Sequence, residues 1–165
     1  MKMASIGGVC ILWFFSSIPA GALDEATDDL TSIFEYVCFD TLPYFEGAEA
    51  RLRQMGFELT AFGDREFEGY HPSQGLTANL AAGKRKHANP GCTIQSENAI
   101  YDRAKPIAFE MFNNIFGGTV SEWRYNGKPA GWKAPLSDGM VYLDVTSEGA
   151  DVPSGVGITV EWRSQ

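Results

Sequence analysis

Two histidines, His71 and His87, are the only imidazoles in this 165-residue chain, and both fall in loop-like segments. Neither H-x-H nor H-x-x-x-H spacing occurs, so a zinc site would have to draw on carboxylates, and no metal site is expected. Ser73 lies two residues from His71. No G-x-S-x-G elbow frames a serine nucleophile, and closeness in sequence does not build a triad. Carboxylates are plentiful, among them Asp64, Glu66, Glu68, Asp138 and Asp144. Glycoside hydrolysis needs two carboxyl groups held as a pair with different proton affinities, and no spacing marks such a pair. The stretch DVTSEGAD from Asp144 opens like a calcium loop, but Gly155 stands at the twelfth position, where a bidentate acid belongs. GVG at 155–157 reads as a turn entering a strand, not as a phosphate cradle. No cofactor is expected.

Two stretches carry binding chemistry instead. Lys84, Arg85 and Lys86 form the only basic run, a candidate contact for an anion or an acidic partner. Trp132 sits in YNGKPAGWKAP, a Gly/Pro/Lys-rich segment read as a loop. An exposed loop tryptophan is a frequent binding hot spot, and one folded back over the core is the alternative. Trp123 and Trp162 fall in alternating patterns and read as packing residues.

The net charge is −8, with hydrophobic residues at 44% and charged residues at 21%. That balance suits a globular domain. The acidic charge opposes non-specific binding to nucleic acid and to anionic membranes, both of which rely on Lys and Arg.

The N-terminus reads as a secretory leader. Lys2 supplies the positive start, Ile6 to Phe15 the apolar segment, and Ala20-Gly21-Ala22 a small-x-small cleavage site ahead of Asp24 and Glu25. Cleavage after Ala22 leaves residues 23–165, about 143 in number, as a single domain. An uncleaved anchor from Met3 to Leu23 is the alternative. Cys10 lacks the context of a lipoprotein cysteine and falls in the removed segment. The remaining pair, Cys38 and Cys92, is then expected as a disulfide in a periplasmic or secreted chain, with no stable membrane insertion.

The positioning elements follow from periodicity. Leu30, Ile33, Phe34, Val37 and Cys38 share one face of a helix capped by Thr27. A second helix starts at Asp40 or Thr41, buries Phe45, Ala48, Leu52 and Met55, and stops at Gly56. Alternation then predicts strands over Phe57–Phe62, Glu66–Tyr70, Leu76–Ala82 and Cys92–Gln95. A third helix, capped by Ser96 and kinked or split at Pro106, ends at Gly117-Gly118. TVSEWRY, GMVYLDVTS and GVGITVEWR read as further strands, with Asn126-Gly127 as a turn. No internal repeat is visible. The fold expected is α+β, an antiparallel sheet of about five or six strands with three helices on one side.

Cys38 in a first helix, PYFEGAEARLRQMGF closing in Gly56-Phe57, and Cys92 in GCTIQS ahead of another helix resemble small uncharacterised secreted proteins of Gram-negative bacteria. The likeness spans roughly Phe34 to Phe116. It implies an envelope location and carries no activity with it. The leading expectation is a non-catalytic binding protein for a protein partner or small ligand, with Trp132, Lys84, Arg85 and Lys86 at its surface. Two other readings stay open: a hydrolase using His71 with Asp64 or Glu66, and a carrier of a small apolar ligand.

Overall fold

The computed structural model describes residues 20–83, 89–147 and 155–164. Helix α1 (Ala20–Val37) leads through a 3-10 turn (Phe39–Thr41) to α2 (Ala48–Gln54). Four strands follow: β1 (Glu58–Gly63), β2 (Glu66–His71), β3 (Leu76–Ala81) and β4 (Gly91–Ser96). Then come α3 (Tyr101–Phe116), a 3-10 turn (Gly117–Thr119), β5 (Ser121–Tyr125), β6 (Lys128–Leu136), β7 (Gly139–Ser147) and β8 (Val156–Ser164). All eight strands form one antiparallel sheet in the order β1-β2-β3-β4-β8-β7-β6-β5.

The chain is α+β with three α-helices, as expected, but the sheet has eight strands and not five or six. Two meanders of four strands join through β4 and β8, so each helical segment and its meander form one half of a continuous sheet. The halves repeat a topology that leaves no repeat in the sequence. One source of the undercount is β6, whose Gly131, Pro129 and Pro135 resemble a loop. Both prolines lie near the strand's ends, and Pro129 pairs with Arg124 next to a bulge, which leaves the central ladder intact.

Alternation puts Leu76, Ala78, Leu80, Cys92, Ile94, Val141, Leu143, Val156, Ile158, Val160 and Trp162 on one face, buried under the helices. Phe34 of α1, Leu52 of α2 and Phe112 of α3 are fully or almost fully buried against it. Each such large apolar side chain contributes roughly 1.5–3 kcal/mol. Cys38 at the end of α1 is bonded to Cys92 of β4, with Cα atoms 5.6 Å apart.

The helix ends differ from expectation in three places. Helix α1 spans Ala20–Val37 among the described residues, so Thr27 is an interior residue and not its cap. The Thr27 hydroxyl donates to the Leu23 carbonyl (2.9 Å) and accepts the Ile100 N–H (2.9 Å) at the start of α3. Ser96 is the last residue of β4, and α3 starts five residues later, so Ser96 is not its cap. Helix α2 begins only at Ala48, because Phe45 (φ 56°) and Gly47 (φ 89°) turn the chain out of helical geometry.

Two expectations about helix interiors and ends divide. Pro106 neither splits α3 nor ends it. Its missing N–H would have met the carbonyl of Asp102, an exposed residue of the first turn. Gly56 does close α2: at φ 93° it lets Phe57 N–H reach Leu52 O (3.0 Å) and its own N–H reach Arg53 O (3.1 Å).

Candidate functional site

The second face of the sheet carries no described helix. Register lines its side chains into rows, of which the central one runs Thr60, Glu68, Asn79, Thr93, Thr159 and Asp144. Thr93 and Thr159 share a hydroxyl hydrogen bond of 2.9 Å across the β4–β8 seam. The parallel row begins with Glu58, Tyr70, Thr77 and Gln95, with Thr77 Oγ1 donating to Gln95 Oε1 (3.1 Å).

At the β5–β8 end this face holds a cluster of polar and aromatic groups. Trp123 Nε1–H donates to Asp144 Oδ1 (2.9 Å), and the Trp123 and Tyr142 rings meet edge to face at 5.4 Å. The Arg163 guanidinium lies 4.3 Å from the Tyr142 ring centroid and 5.7 Å from that of Trp123. Arg163 Nη2 pairs with Glu161 Oε2 (2.8 Å), and Asn89 Nδ2 donates to Glu161 Oε1 (2.7 Å). Gly131 beneath the cluster is required for space, since a Cβ there would fall on Leu143 O and Asp144 Oδ1.

Burial pushes the Asp144 carboxyl up to about 6, and the nearby Glu161 adds to the rise. The Trp123 hydrogen bond and the charge of Arg163 oppose it. The Glu161 hydrogen bond in turn raises Arg163, which stays cationic. A carboxyl that changes charge near pH 6, beside a fixed guanidinium and two aromatic rings, can select hydroxyl, amide or cationic groups on a partner surface.

At the β1–β2 end the open face is acidic and aromatic. Glu58, Glu68, Tyr70 and Phe62 project there, and a shallow depression of about 320 Å³ lies between Phe62, Asn79, Ala81, Gly91 and Thr93.

The residues singled out from the sequence are placed as follows. Trp132 lies in β6 and not in a loop. It is half-buried on the helix side, where its ring packs against Phe109 of α3 at 4.9 Å and Lys105 Nζ stands 5.9 Å from its centroid. A cleft of about 130 Å³ opens beside it, lined by Tyr101, Lys105 and Glu122. The geometry is that of the packing alternative. Lys84, Arg85, Lys86 and His87 lie outside the described residues.

His71 is not brought to Asp64 or Glu66. It ends β2 while Glu66 begins it, roughly 16 Å away at 3.3 Å per residue. Its ring packs edge-on against Phe57 (5.2 Å), with Nε2 at 2.9 Å from Met55 O and Nδ1 at 3.4 Å from Ser73 Oγ. No group of three or more His, Cys, Asp or Glu suited to a metal exists among the described residues. Nor is any described helix long and apolar enough to cross a membrane.

Sequence reasoning missed the Asp144 cluster. Tyr142 and Asp144 were visible as the polar half of the β7 alternation. Their approach to Trp123 and Arg163 depends on the pairing of β5 with β6 and of β7 with β8, which no single strand encodes. Trp162 is core, as expected, whereas Trp123 is on the open face.

No family model, no curated protein and no solved structure matches this chain.

Proposed function

We propose that the chain is a non-catalytic binding protein of the periplasm or the secreted fraction, and that its open sheet face takes a polypeptide partner. The observation that carries the reading is the placement of α1, α2 and α3 on one face of an eight-stranded sheet, with the other face free of described helices. An antiparallel sheet can keep one face in water while the other packs on a core. Asp144 adds weight, because a carboxylate held half-buried against its own desolvation lowers stability, and such groups concentrate at functional sites. The leader-like N-terminus, the resemblance to small secreted proteins of Gram-negative bacteria and the Cys38–Cys92 bridge are consistent with an oxidising envelope compartment.

The hydrolase reading has less support, since His71 stands apart from its proposed carboxylates. The carrier reading has less as well, because Phe34, Phe45 and Phe112 fill the space between helices and sheet.

Photo-crosslinking tests the proposal. A benzophenone side chain placed at Thr93 or Thr159, in the exported protein inside its source cells, is expected to capture a discrete protein. The same group at Ile115, exposed on α3, is expected not to. Equal capture from both faces, or none from the open one, contradicts the reading.

A further inference from the structure

We infer that the β1–β2 end of the open face docks a basic segment of a partner polypeptide, with an apolar side chain of that segment seated beside Phe62. The inference rests on the open-face reading above and adds the chemistry and the position of the contact.

Among the described residues four large apolar or aromatic side chains are exposed, and two of them, Phe62 (63%) and Tyr70 (49%), lie on this face of the two outermost strands. Such residues expose apolar surface that a partner can remove from water. Phe62 borders the 320 Å³ depression, whose floor is shallow because Ala81 and Gly91 carry almost no side chain. Tyr70 lies beyond Glu68 along β2, four residues from Glu66 at the Phe62 end, or roughly 13 Å. An extended segment of about four residues spans that distance.

Among the described residues the charge between the two rings has one sign. Glu68 lies on β2 and Glu58 opposite Tyr70 on β1, and neither carboxylate has a hydrogen-bond or ion-pair partner among the described residues. Among the described residues, the basic side chains that register places on this face, Lys133 and Arg163 among them, belong to β6 and β8 in the other half of the sheet. A Lys or Arg side chain fits both features at once, pairing with Glu58 or Glu68 and lying on the ring of Tyr70. An acidic or neutral segment would leave the carboxylates desolvated without compensation. The net charge of −8 steers a basic partner toward the whole molecule, and the Phe62 depression sets the register.

The test uses a defined probe, a hexapeptide of alternating lysine and leucine, titrated into the full exported chain and followed by backbone amide NMR shifts. A second peptide with every lysine acetylated is the control. Shifts are expected at Thr60, Phe62, Glu68 and Tyr70. Glu58→Gln with Glu68→Gln should weaken binding at least about fivefold, and Phe62→Ser about threefold to tenfold. The helix-side pair Asp102→Asn with Glu110→Gln removes the same charge from α3 and should leave binding unchanged. Equal weakening by that pair, equal binding of the acetylated peptide, or no binding at millimolar peptide overturns the inference. Shifts confined to Tyr142, Asp144 and Thr159 overturn it too, yet leave the open-face reading standing. That reading falls separately, if Thr93 and Thr159 capture nothing.

Discussion

Cys92 on β4 and Val160 on β8 face each other across the centre of the sheet, yet only one of them is bonded to the helix above it. The half built from α1, α2 and β1–β4 is stapled by Cys38–Cys92. The half built from α3 and β5–β8 is held by apolar packing of Ala104, Ala108 and Phe112. The open faces differ in the same way. In the first half, Glu58 and Glu68 have no partner among the described residues and stand beside the exposed rings of Phe62 and Tyr70. In the second, Trp123 bonds Asp144 and Arg163 pairs with Glu161 and lies over the Tyr142 ring, while the buried Arg163 Nε has no hydrogen-bond partner among the described residues. One topology thus supports an exposed acidic and aromatic surface in one half and an interlinked polar and aromatic cluster in the other.

The largest way to break the comparison is to remove the staple. Cys38→Ala with Cys92→Ala frees a loop spanning a sequence separation of 54. The expected loss is about 3–4 kcal/mol in the chain-entropy description, seen as a fall of roughly 10 °C in thermal melting. Reductant should do the same to the wild type and nothing to the double variant. If reductant leaves the melting point unchanged, the first half does not depend on its bridge.

Trp132→Ala probes the second half, which has packing alone. Loss of the ring from Phe109 should cost about 2 kcal/mol, lowering the melting point by roughly 5 °C. An unchanged melting point would return Trp132 to the role of a free binding residue.

The smallest effect has the opposite sign. Asp144→Asn keeps an oxygen to accept the Trp123 indole N–H and removes the half-buried charge. The folded carboxyl titrates near 6, above the unfolded value of about 3.9, so folding favours its protonated form. Its contribution therefore declines as pH rises from about 4 to about 6 and is level above that. At pH 7 the variant should be more stable by about 1 kcal/mol after allowance for water screening, or roughly 3 °C. Its advantage should vanish near pH 4. An advantage independent of pH would show that Asp144 is not the titrating group.

Much of this architecture was legible because it is local. The apolar stripe of α1, the Gly56 stop, the Asn126-Gly127 turn and the alternation of β7 and β8 each lie within one segment, where periodicity reports directly on burial. Pairing Cys38 with Cys92 needed only the cysteine count left once the leader-like segment holding Cys10 is set aside. What escaped depends on contacts between segments. Thr27 looks like a cap until α3 is seen to place the Ile100 N–H against it. β6 looks like a loop until β5 and β7 pair on either side of it. The face left open is a property of the assembled sheet, so the surface proposed to bind was invisible in any one strand.

The central claim is that an exported, bridge-held scaffold keeps one sheet face for a polypeptide and not a small ligand. Mass spectrometry on protein exported from its source cells, under denaturing and then native conditions, tests it most directly. The account predicts a denatured mass for residues 23–165 less two hydrogens, and a native species that is either bare or joined to another polypeptide. A full-length mass, an unbridged cysteine pair or a retained small molecule would contradict it.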